Sequence, residues 1–242
     1  IPVSVAQTCP NREGLNGMKT CNFCDVWGSA AYPEFRENEL NEQIEKTRAI
    51  IQKRYKANKF LVYFQSYTTT FQRVQNLRLA MGVAEAHNDV CGFVIGTRPD
   101  CLSDALYSLI NEYLSQGFVA LELGVQTFNE EQLRWMRRGH TAEKSIQAIN
   151  KIKEKCPQID LGIHLMFGLP GESDQQLLET ANLLNSLPID NVKLHNLHVL
   201  ENTPLAEDYR SGKFIPLAQE EYARRVILFL QHLKPEIAVH RL

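Results

Sequence analysis

The segment Phe118–Gln126 reads FVALELGVQ and alternates bulky apolar residues with small or polar ones. Positions 119, 121, 123 and 125 hold Val or Leu, whereas positions 120, 122, 124 and 126 hold Ala, Glu, Gly and Gln. Successive side chains of a β-strand point to opposite faces of its sheet. The segment therefore predicts a strand with one face against an apolar core and with Glu122 and Gln126 on the other face.

Two later segments repeat this alternation and place polar side chains on one face. That face carries Asp160, Gly162, His164 and Met166 in the segment 159–167, of which Asp160 and His164 are polar, and Lys193 and His195 in the segment 191–199. A barrel interior that serves packing alone is filled by Val, Ile and Leu. The polar face indicates an interior that holds a polar ligand or water, and the alternative is an internally satisfied network of ion pairs. Since His195 and His198 differ in parity, we expect His195 inside and His198 outside.

Predicted strands and amphipathic helices alternate along the chain at a spacing of roughly 30 residues. The strands cover 1–6, 59–67, 90–97, 118–126, 159–167 and 191–199. The helices cover 37–55, 71–86, 103–116, 130–137, 141–155, 174–186 and 217–233. Strands joined by helices of this length are parallel, and right-handed crossovers curl their sheet. The sequence predicts an α/β fold, a partial (βα)6 TIM-like barrel of parallel strands with outer helices.

The composition predicts a single domain over residues 1–242, with a loop at 7–33 and a C-terminal helical extension at about 203–242. The chain has 242 residues and 44% hydrophobic content, enough for one large core. It does not begin with Met, which allows for natural termini beyond its ends. A net charge of −2 gives no electrostatic reason to expect nucleic acid. No apolar run suits a membrane span or a leader, so we expect a cytoplasmic protein without membrane association.

Three of the six cysteines, Cys9, Cys21 and Cys24, lie in the loop that follows the first predicted strand. This position corresponds to the carboxyl-terminal rim, where barrel active sites form. Three thiolates suit a four-iron four-sulfur cluster with one iron open to a ligand. A structural zinc site would need a second ligand pair, which does not follow, and a disulfide between Cys21 and Cys24 would leave the third cysteine unexplained. The cluster is the favoured interpretation, and zinc remains the alternative.

The other three cysteines have no spacing that suggests a second cluster. Cys91 falls in an apolar predicted strand, so we expect it to be buried as packing. Cys101 follows the turn at Arg98, near the predicted rim, and a reactive role there stays open. No motif around Cys156 indicates a function for it.

The cysteine motifs resemble those of the radical S-adenosylmethionine (SAM) superfamily. The segment Cys9-Pro10-Asn11-Arg12, separated by eleven residues (10–20) from the pair in Cys21-Asn22-Phe23-Cys24, is similar to the YhcC-type bacterial group. That group is related to the elongator catalytic subunit and to oxygen-independent coproporphyrinogen oxidase. The usual first spacing of the superfamily is three residues, a rule that these relatives also relax. Further matching segments lie at the ends of predicted strands: YFQSYT at 63–68, GTRPD at 96–100, LELGVQ at 121–126 and FGLPGE at 167–172. Another, RGH at 138–140, lies between two predicted helices.

The resemblance implies that several of these residues contact SAM. By position, Gln65, Ser66 and Thr68 inherit contacts to its amino group, although the usual Gly-Gly-Glu form of that segment is absent. Gln126, Arg138 and His164 are implied to lie near SAM, and the remaining candidates are Arg98, Glu122 and Gly168. For Arg138 the alternative is a solvated basic face shared with Arg134 and Arg137. For Gly168, with Gly171, the alternative is an ordinary turn between a strand and a helix.

The resemblance implies a radical enzyme that uses a [4Fe-4S] cluster and SAM. Reduction of the cluster would cleave SAM to methionine and a 5′-deoxyadenosyl radical that abstracts hydrogen from a substrate. The electron would come from a reductant protein of the flavodoxin or ferredoxin type. The substrate stays unresolved between a small molecule and RNA, and the near-neutral charge weighs against RNA. A non-enzymatic iron-sulfur or zinc-binding module is the alternative of another class, and the polar barrel interior weighs against it.

Overall fold

Seven β-strands and eight α-helices follow one another in a computed structural model that describes residues 1–28 and 30–242. The strands are β1 (Pro2–Val3), β2 (Phe60–Phe64), β3 (Val90–Thr97), β4 (Phe118–Gln126), β5 (Asp160–Phe167), β6 (Asn191–Asn196) and β7 (Ala238–Arg241). The helices are α1 (Leu40–Tyr55), α2 (Val74–Glu85), α3 (Asp104–Leu114), α4 (Glu130–Trp135), α5 (Ala142–Lys155), α6 (Asp174–Ser186), α7 (Pro204–Arg210) and α8 (Gln219–Leu230). Two short 3₁₀ turns, Leu15–Gly17 and Pro33–Phe35, lie between β1 and α1.

The strands form one parallel sheet in the order of the chain, from β1 to β7, that curls into a half-barrel. Each strand returns beside its predecessor after a helical crossover, as right-handed parallel units require. Several helices begin at a capping hydroxyl: Ser103, Thr141, Ser173 and Thr203 each accept a backbone N–H of the first turn. The predicted α/β partial barrel with outer helices is confirmed.

The structure adds a seventh strand to the six that the sequence predicted. β7 pairs in parallel with β6, with Asn191 opposite Ala238 and Val192 opposite Val239. It lies within the segment predicted as a helical extension, which also contains α7 and α8. The four residues of β7 are all exposed and show no apolar alternation, so the usual signal of a strand is missing.

The apolar faces of the strands pack against the outer helices and form the main core. Leu121, Leu123 and Val125 of β4 belong to it, which confirms the predicted register of that strand. A register irregularity between Leu123 and Gln126 interrupts the pairing of β4 with β5, and Gln126 has a left-handed backbone with φ of 72°. A bulge of this kind redirects a side chain at the end of a strand.

The expectation that Cys91 is buried is wrong. Cys91 is exposed, and its thiol lies 3.4 Å from the carbonyl oxygen of Phe60. It is the second residue of β3, and burial of this strand begins only at the third residue. The buried cysteine outside the cysteine loop is Cys156.

Across the two described ranges, 1–28 and 30–242, the helices are too short or too polar to serve as a bilayer-spanning segment.

Candidate functional site

A cavity of about 380 Å³ opens at the carboxyl ends of the strands and collects most of the predicted site residues. The predicted residues that line it are Cys9, Cys21, Cys24, Gln65, Thr68, Arg98, Glu122, Gln126, Arg138 and His164. Ser66 and Gly168 do not line it. Ser66 is buried next to this wall, and its hydroxyl has no hydrogen-bond partner within residues 1–28 and 30–242.

The cysteine loop is fixed to the turn between α4 and α5 by two buried asparagines. The Asn11 amide donates to the carbonyl oxygens of Lys19 and Arg137, both at 2.6 Å. The Asn22 amide donates to the carbonyl oxygen of Trp135 at 2.9 Å. Buried amides that satisfy backbone carbonyls hold an irregular segment in one conformation. The loop therefore has a defined shape even though little of it is helix or strand.

Two arginines flank the cysteine sulfurs. Arg12 Nη2 lies 3.6 Å from Cys24 Sγ, and Arg138 Nη1 lies 3.7 Å from Cys21 Sγ. Burial raises the pKa of the Cys24 thiol, and the contact with Arg12 opposes that rise. A neighbouring cation favours the thiolate form that binds metal. Arg138 is half-buried, whereas Arg134 and Arg137 are exposed, so the alternative of a shared solvated face is wrong for Arg138.

This arrangement fits an iron-sulfur cluster. Three cysteines that line one cavity provide the thiolate ligands of such a cluster, and guanidinium groups lie beside two of their sulfurs. Among residues 1–28 and 30–242, no three His, Cys, Asp or Glu side chains converge closely enough to surround a single metal ion. A cluster of several iron atoms holds its ligands further apart than one zinc ion does.

Arg98 connects the cysteine loop to the end of β3. Its guanidinium binds both carboxylate oxygens of Asp100, at 2.8 and 2.6 Å, and also donates to Asn11 Oδ1. Burial favours protonation of Asp100, but the contacts with Arg98 outweigh it and hold the pKa of Asp100 below its usual value. These bonds occupy much of the Arg98 guanidinium, which supports a role in positioning the loop.

The barrel interior contains an ion network centred on Glu122. His164 Nε2 lies 2.8 Å from Glu122 Oε2, and Lys193 Nζ lies 2.5 Å from Glu122 Oε1. Burial alone would raise the pKa of Glu122, but His164 and Lys193 lower it to about 2. Burial, followed by the nearby Glu122, raises the pKa of Tyr63. The alternative of an ion-pair network is therefore correct for Glu122. The network forms one wall of an open cavity, and the binding of a polar ligand there stays a prediction.

Both histidines of the β6 region line this cavity, so the expectation that His198 lies outside is wrong. β6 ends at Asn196, and the alternation of side chains no longer applies to His198 beyond that point. His195 lies inside as expected, with its ring centroid 5.0 Å from that of His164. Burial and the neighbouring His164 lower the pKa of His195 to about 3, so it is neutral at physiological pH.

Gly124 leaves space for two of the predicted site residues. A Cβ at this position would lie 3.0 Å from Gln126 Nε2 and 3.6 Å from Arg138 Nη2. The Gly124 carbonyl oxygen accepts a 2.7 Å hydrogen bond from Arg138 Nη2. The end of β4 thus places the Gln126 amide in the cavity wall. The Gly124 carbonyl oxygen holds the Arg138 guanidinium in the same wall, beside Cys21.

Gly168 belongs to a turn behind this wall. Its φ of 87° is left-handed, and its N–H donates to Glu172 Oε2 at 2.9 Å. A Cβ on Gly168 would lie 3.2 Å from the side chain of Leu217. The geometry is that of a strand-to-helix turn, in agreement with the alternative interpretation of this glycine.

The sequence reasoning did not identify Arg12, Tyr63 and Arg241 as site residues, although the structure brings all three to the cysteines or the cavity. Arg12 and Tyr63 lie inside two of the matching segments, so those segments contained the signal. Arg241 arrives on the unpredicted strand β7. No pattern around residue 241 pointed to it.

Gly28 offers a test of the loop geometry. A Cβ there would lie 2.6 Å from Cγ of the Tyr67 ring, and the φ of Gly28 is 62°. Gly28→Ala should therefore displace the loop and lower the iron content of anaerobically purified protein at least twofold. Gly82→Ala on α2 is the matched control, since a Cβ there meets nothing within 4 Å and Ala favours a helix. Equal iron contents in the two variants would contradict this account of the loop.

The chain is similar to known families and proteins. The Radical SAM superfamily matches residues 3–184, and the Radical_SAM C-terminal domain matches residues 189–242. Protein YhcC of Escherichia coli K12 is 33% identical over 238 residues, which cover 97% of this chain and 74% of YhcC. A tRNA uridine(34) acetyltransferase of Methanocaldococcus infernus is 32% identical over 166 residues, which cover 67% of this chain and 30% of that protein.

Two solved structures share the fold. The chain matches the archaeal Elp3 of Methanocaldococcus infernus with a TM-score of 0.64 and 21% identity, covering 100% of this chain and 56% of that one. It matches coproporphyrinogen III oxidase (HemN) of Escherichia coli with a TM-score of 0.59 and 16% identity, covering 95% of this chain and 50% of that one. The chain therefore spans about half the length of these two structures.

Proposed function

This chain belongs to the radical SAM superfamily, and we propose that it is an enzyme that reductively cleaves SAM and transfers a hydrogen atom from a substrate to the resulting radical. Enzymes of this family use a [4Fe-4S] cluster and SAM. When bound, the cluster supplies one electron to SAM, which yields methionine and a 5′-deoxyadenosyl radical. One observation carries the proposal: three cysteines line a single cavity, at the carboxyl ends of the strands, whose other walls include the polar side chains of Gln65, Glu122 and His164.

Different residues of the cavity would bind the cluster and SAM. Cys9, Cys21 and Cys24 would hold three irons, with Arg12 and Arg138 balancing the charge of the sulfurs. Gln65, Thr68 and Gln126 line the remaining wall and would bind the polar groups of SAM. Arg98 and Glu122 would act mainly through the side chains they hold, since their polar atoms already have partners.

His164 is a candidate contact to SAM because it reaches the cavity from the Glu122 network. Ser66 remains a candidate because its buried hydroxyl, beside the same wall, has no partner in the part of the chain that the structure describes. Gly168 is a weaker candidate, since it lies behind the cavity and its N–H is already bound to Glu172.

Radical SAM enzymes need a reductant, and we propose a flavodoxin or ferredoxin in the cytoplasm, where thiolates stay reduced. The cysteine loop exposes Leu15, Val26 and Trp27, which are 45%, 46% and 39% accessible. Exposed apolar residues on the loop that carries the cluster ligands offer a surface for such a donor.

The test is production of 5′-deoxyadenosine. Anaerobically reconstituted protein with dithionite and SAM should release 5′-deoxyadenosine slowly without substrate, because uncoupled cleavage needs only cluster, electron and SAM. Liquid chromatography with mass detection measures the product, and Cys24→Ala is the control. A cluster that forms, accepts electrons and yields no more product than the control would overturn the proposal in favour of an electron-transfer or structural module.

An RNA substrate is the second candidate, favoured by the similarity to a tRNA uridine(34) acetyltransferase. The net charge of −2 weighs against it, because binding to RNA draws mainly on phosphate contacts by Lys and Arg. Incubation with bulk transfer RNA under the same conditions separates the candidates: RNA-dependent stimulation of 5′-deoxyadenosine release would favour RNA over a small molecule.

A further inference from the structure

Arg241 reaches the cavity beside the cysteines through an irregularity in the last strand. β7 pairs with β6 so that Val239 lies opposite Val192, and Arg241 lies opposite Lys193. One step along β6 thus corresponds to two residues on β7, and His240 is the extra one. A bulge of this kind changes the face to which the following side chain points. It brings Arg241 to the same face as Lys193, and Arg241 lines the cavity.

The positive charge of Arg241 acts on two other side chains that line this cavity. Burial, followed by the nearby Glu122, raises the pKa of Tyr63, and Arg241 opposes the rise. Burial, then His164 and then Arg241 lower the pKa of His195 to about 3. Tyr63 belongs to β2 and His195 to β6, so the guanidinium influences both sides of the half-barrel interior.

The cavity offers Arg241 no counter-charge. Glu122 is the only acidic side chain among the described residues that line it, and its oxygens already bind Lys193 and His164. Lys193 and Arg241 also face each other on neighbouring strands, and like charges in such a pair repel. Within residues 1–28 and 30–242, the Arg241 guanidinium takes part in no ion pair and no hydrogen bond. An anion bound here would balance a positive charge that the described residues leave unbalanced.

The other two arginines of the cavity lining differ from Arg241, because both already have partners. Arg98 binds the carboxylate of Asp100. Arg138 lies beside Cys21 and donates to a backbone carbonyl oxygen of β4. A guanidinium presents its donors in a planar fork that fits the paired oxygens of a carboxylate or a phosphate. Arg241 is thus the guanidinium of the lining that is available to bind such a group.

The position of Arg241 separates it from the residues proposed to bind SAM. Gln65 and Thr68 follow β2, and Gln126 ends β4, whereas Arg241 belongs to β7. β1 and β7 are the two edges of the sheet and leave the half-barrel open between them. Arg241 is exposed at one of these edges, where a substrate can reach it from solvent. On the basis of the proposed function, we propose that Arg241 binds an anionic group of the substrate, a carboxylate or a phosphate.

Three probes that each carry one methyl group test this site: acetate, methylphosphonate and acetamide. The first two are anions, and acetamide is a neutral molecule with the shape of acetate. Saturation-transfer NMR on the cluster-loaded protein, with SAM present and no reductant, follows the methyl signals. At least one of the anions should bind at least tenfold more tightly than acetamide. The tighter of the two anions identifies the substrate group as a carboxylate or a phosphate.

Variants of Arg241 assign the binding to this side chain. Arg241→Gln should weaken the preferred anion at least fivefold and leave the binding of acetamide and SAM unchanged, because only the charge of the guanidinium is lost. Arg241→Lys keeps the charge and should retain part of the preference for the anion. Arg54→Gln is the matched control, since Arg54 is an exposed arginine of α1 that does not line the cavity, and it should behave like the wild type.

The outcomes separate this inference from the proposed function. If the wild type releases 5′-deoxyadenosine but binds both anions no more tightly than acetamide, the inference is wrong and the SAM proposal stands. Anion binding that is unchanged in Arg241→Gln would also overturn it, as would weaker binding of SAM alone, which would assign Arg241 to SAM. Anion binding that depends on Arg241 in a protein that never cleaves SAM would overturn the substrate role together with the proposed function. The comparison of probes on the wild type needs no variant to fold.

Discussion

Replacing any one of Cys9, Cys21 or Cys24 by Ala should lower the iron content of anaerobically reconstituted protein from about four atoms per chain to below one. With one thiolate lost, two ligands remain for a cluster that already leaves one iron open. Release of 5′-deoxyadenosine should fall at least a hundredfold in each variant. Iron analysis and the visible absorption of the cluster measure the first effect, and product assays measure the second.

Cys91→Ala is the control for this loss. Cys91 is exposed on β3, and Cys156 is buried in the main core behind α5, so neither reaches the cavity. Both should be replaceable with the iron content unchanged. A Cys9→Ala protein that keeps its full cluster would show that the eleven-residue gap excludes Cys9 as a ligand. An unchanged iron content in all three variants would contradict the assignment of these cysteines as cluster ligands.

Glu122→Ala should lower the free energy of unfolding by about 3–5 kcal/mol, the usual effect of removing one partner of a buried ion pair. The carboxylate of Glu122 is 4% exposed and binds both Lys193 and His164, so its loss leaves the Lys193 ammonium without a counter-charge. Glu112→Ala on α3 is the matched control. Its pair with Arg78 is exposed, with both side chains more than a third accessible, and removal should cost about 0–1 kcal/mol. Urea denaturation of the cluster-loaded protein measures both.

The stabilisation by Glu122 should also depend on pH in a definite direction. Its pKa falls from 4.5 to about 2 on folding, so the folded protein favours the charged carboxylate. The contribution of Glu122 to the free energy of unfolding is complete above pH 4.5. It is lost as the pH falls through about 2, the pKa of Glu122 in the folded protein. The difference between wild type and Glu122→Ala should therefore shrink on acidification. A constant difference from pH 7 to pH 3 would contradict the ion network.

The fold and the polar cavity could be predicted because both depend on local periodicity. Alternation in β4 and β5 is enough to place Glu122, Gln126 and His164 on one face, and the structure agrees. β7 could not be predicted, because an exposed edge strand of four residues carries no apolar alternation. His198 was misplaced for a related reason: parity holds only within a strand, and β6 ends at Asn196.

Other features of the site depend on contacts between distant parts of the chain. Arg138 lies beside the sulfur of Cys21 because the cysteine loop packs against the turn between α4 and α5. A cavity of about 640 Å³ that Asn196, α7 and α8 line likewise requires these helices to pack beside β6. Sequence spacing contains no such information, so these arrangements had to come from the structure.

The ties of the cysteine loop also set an order of events during synthesis. Asn11 and Asn22 bond to residues 126 and 113 positions later, and Arg138 reaches Cys21 across 117 positions. A nascent chain that ends before these partners has its thiols on an untethered loop, because contacts of such long separation form late. The ligand geometry is complete only once more than half of the chain has emerged and folded. We therefore expect iron loading to be a late step in the maturation of this protein, and a ribosome-bound fragment that stops before the α4–α5 turn should not retain the cluster.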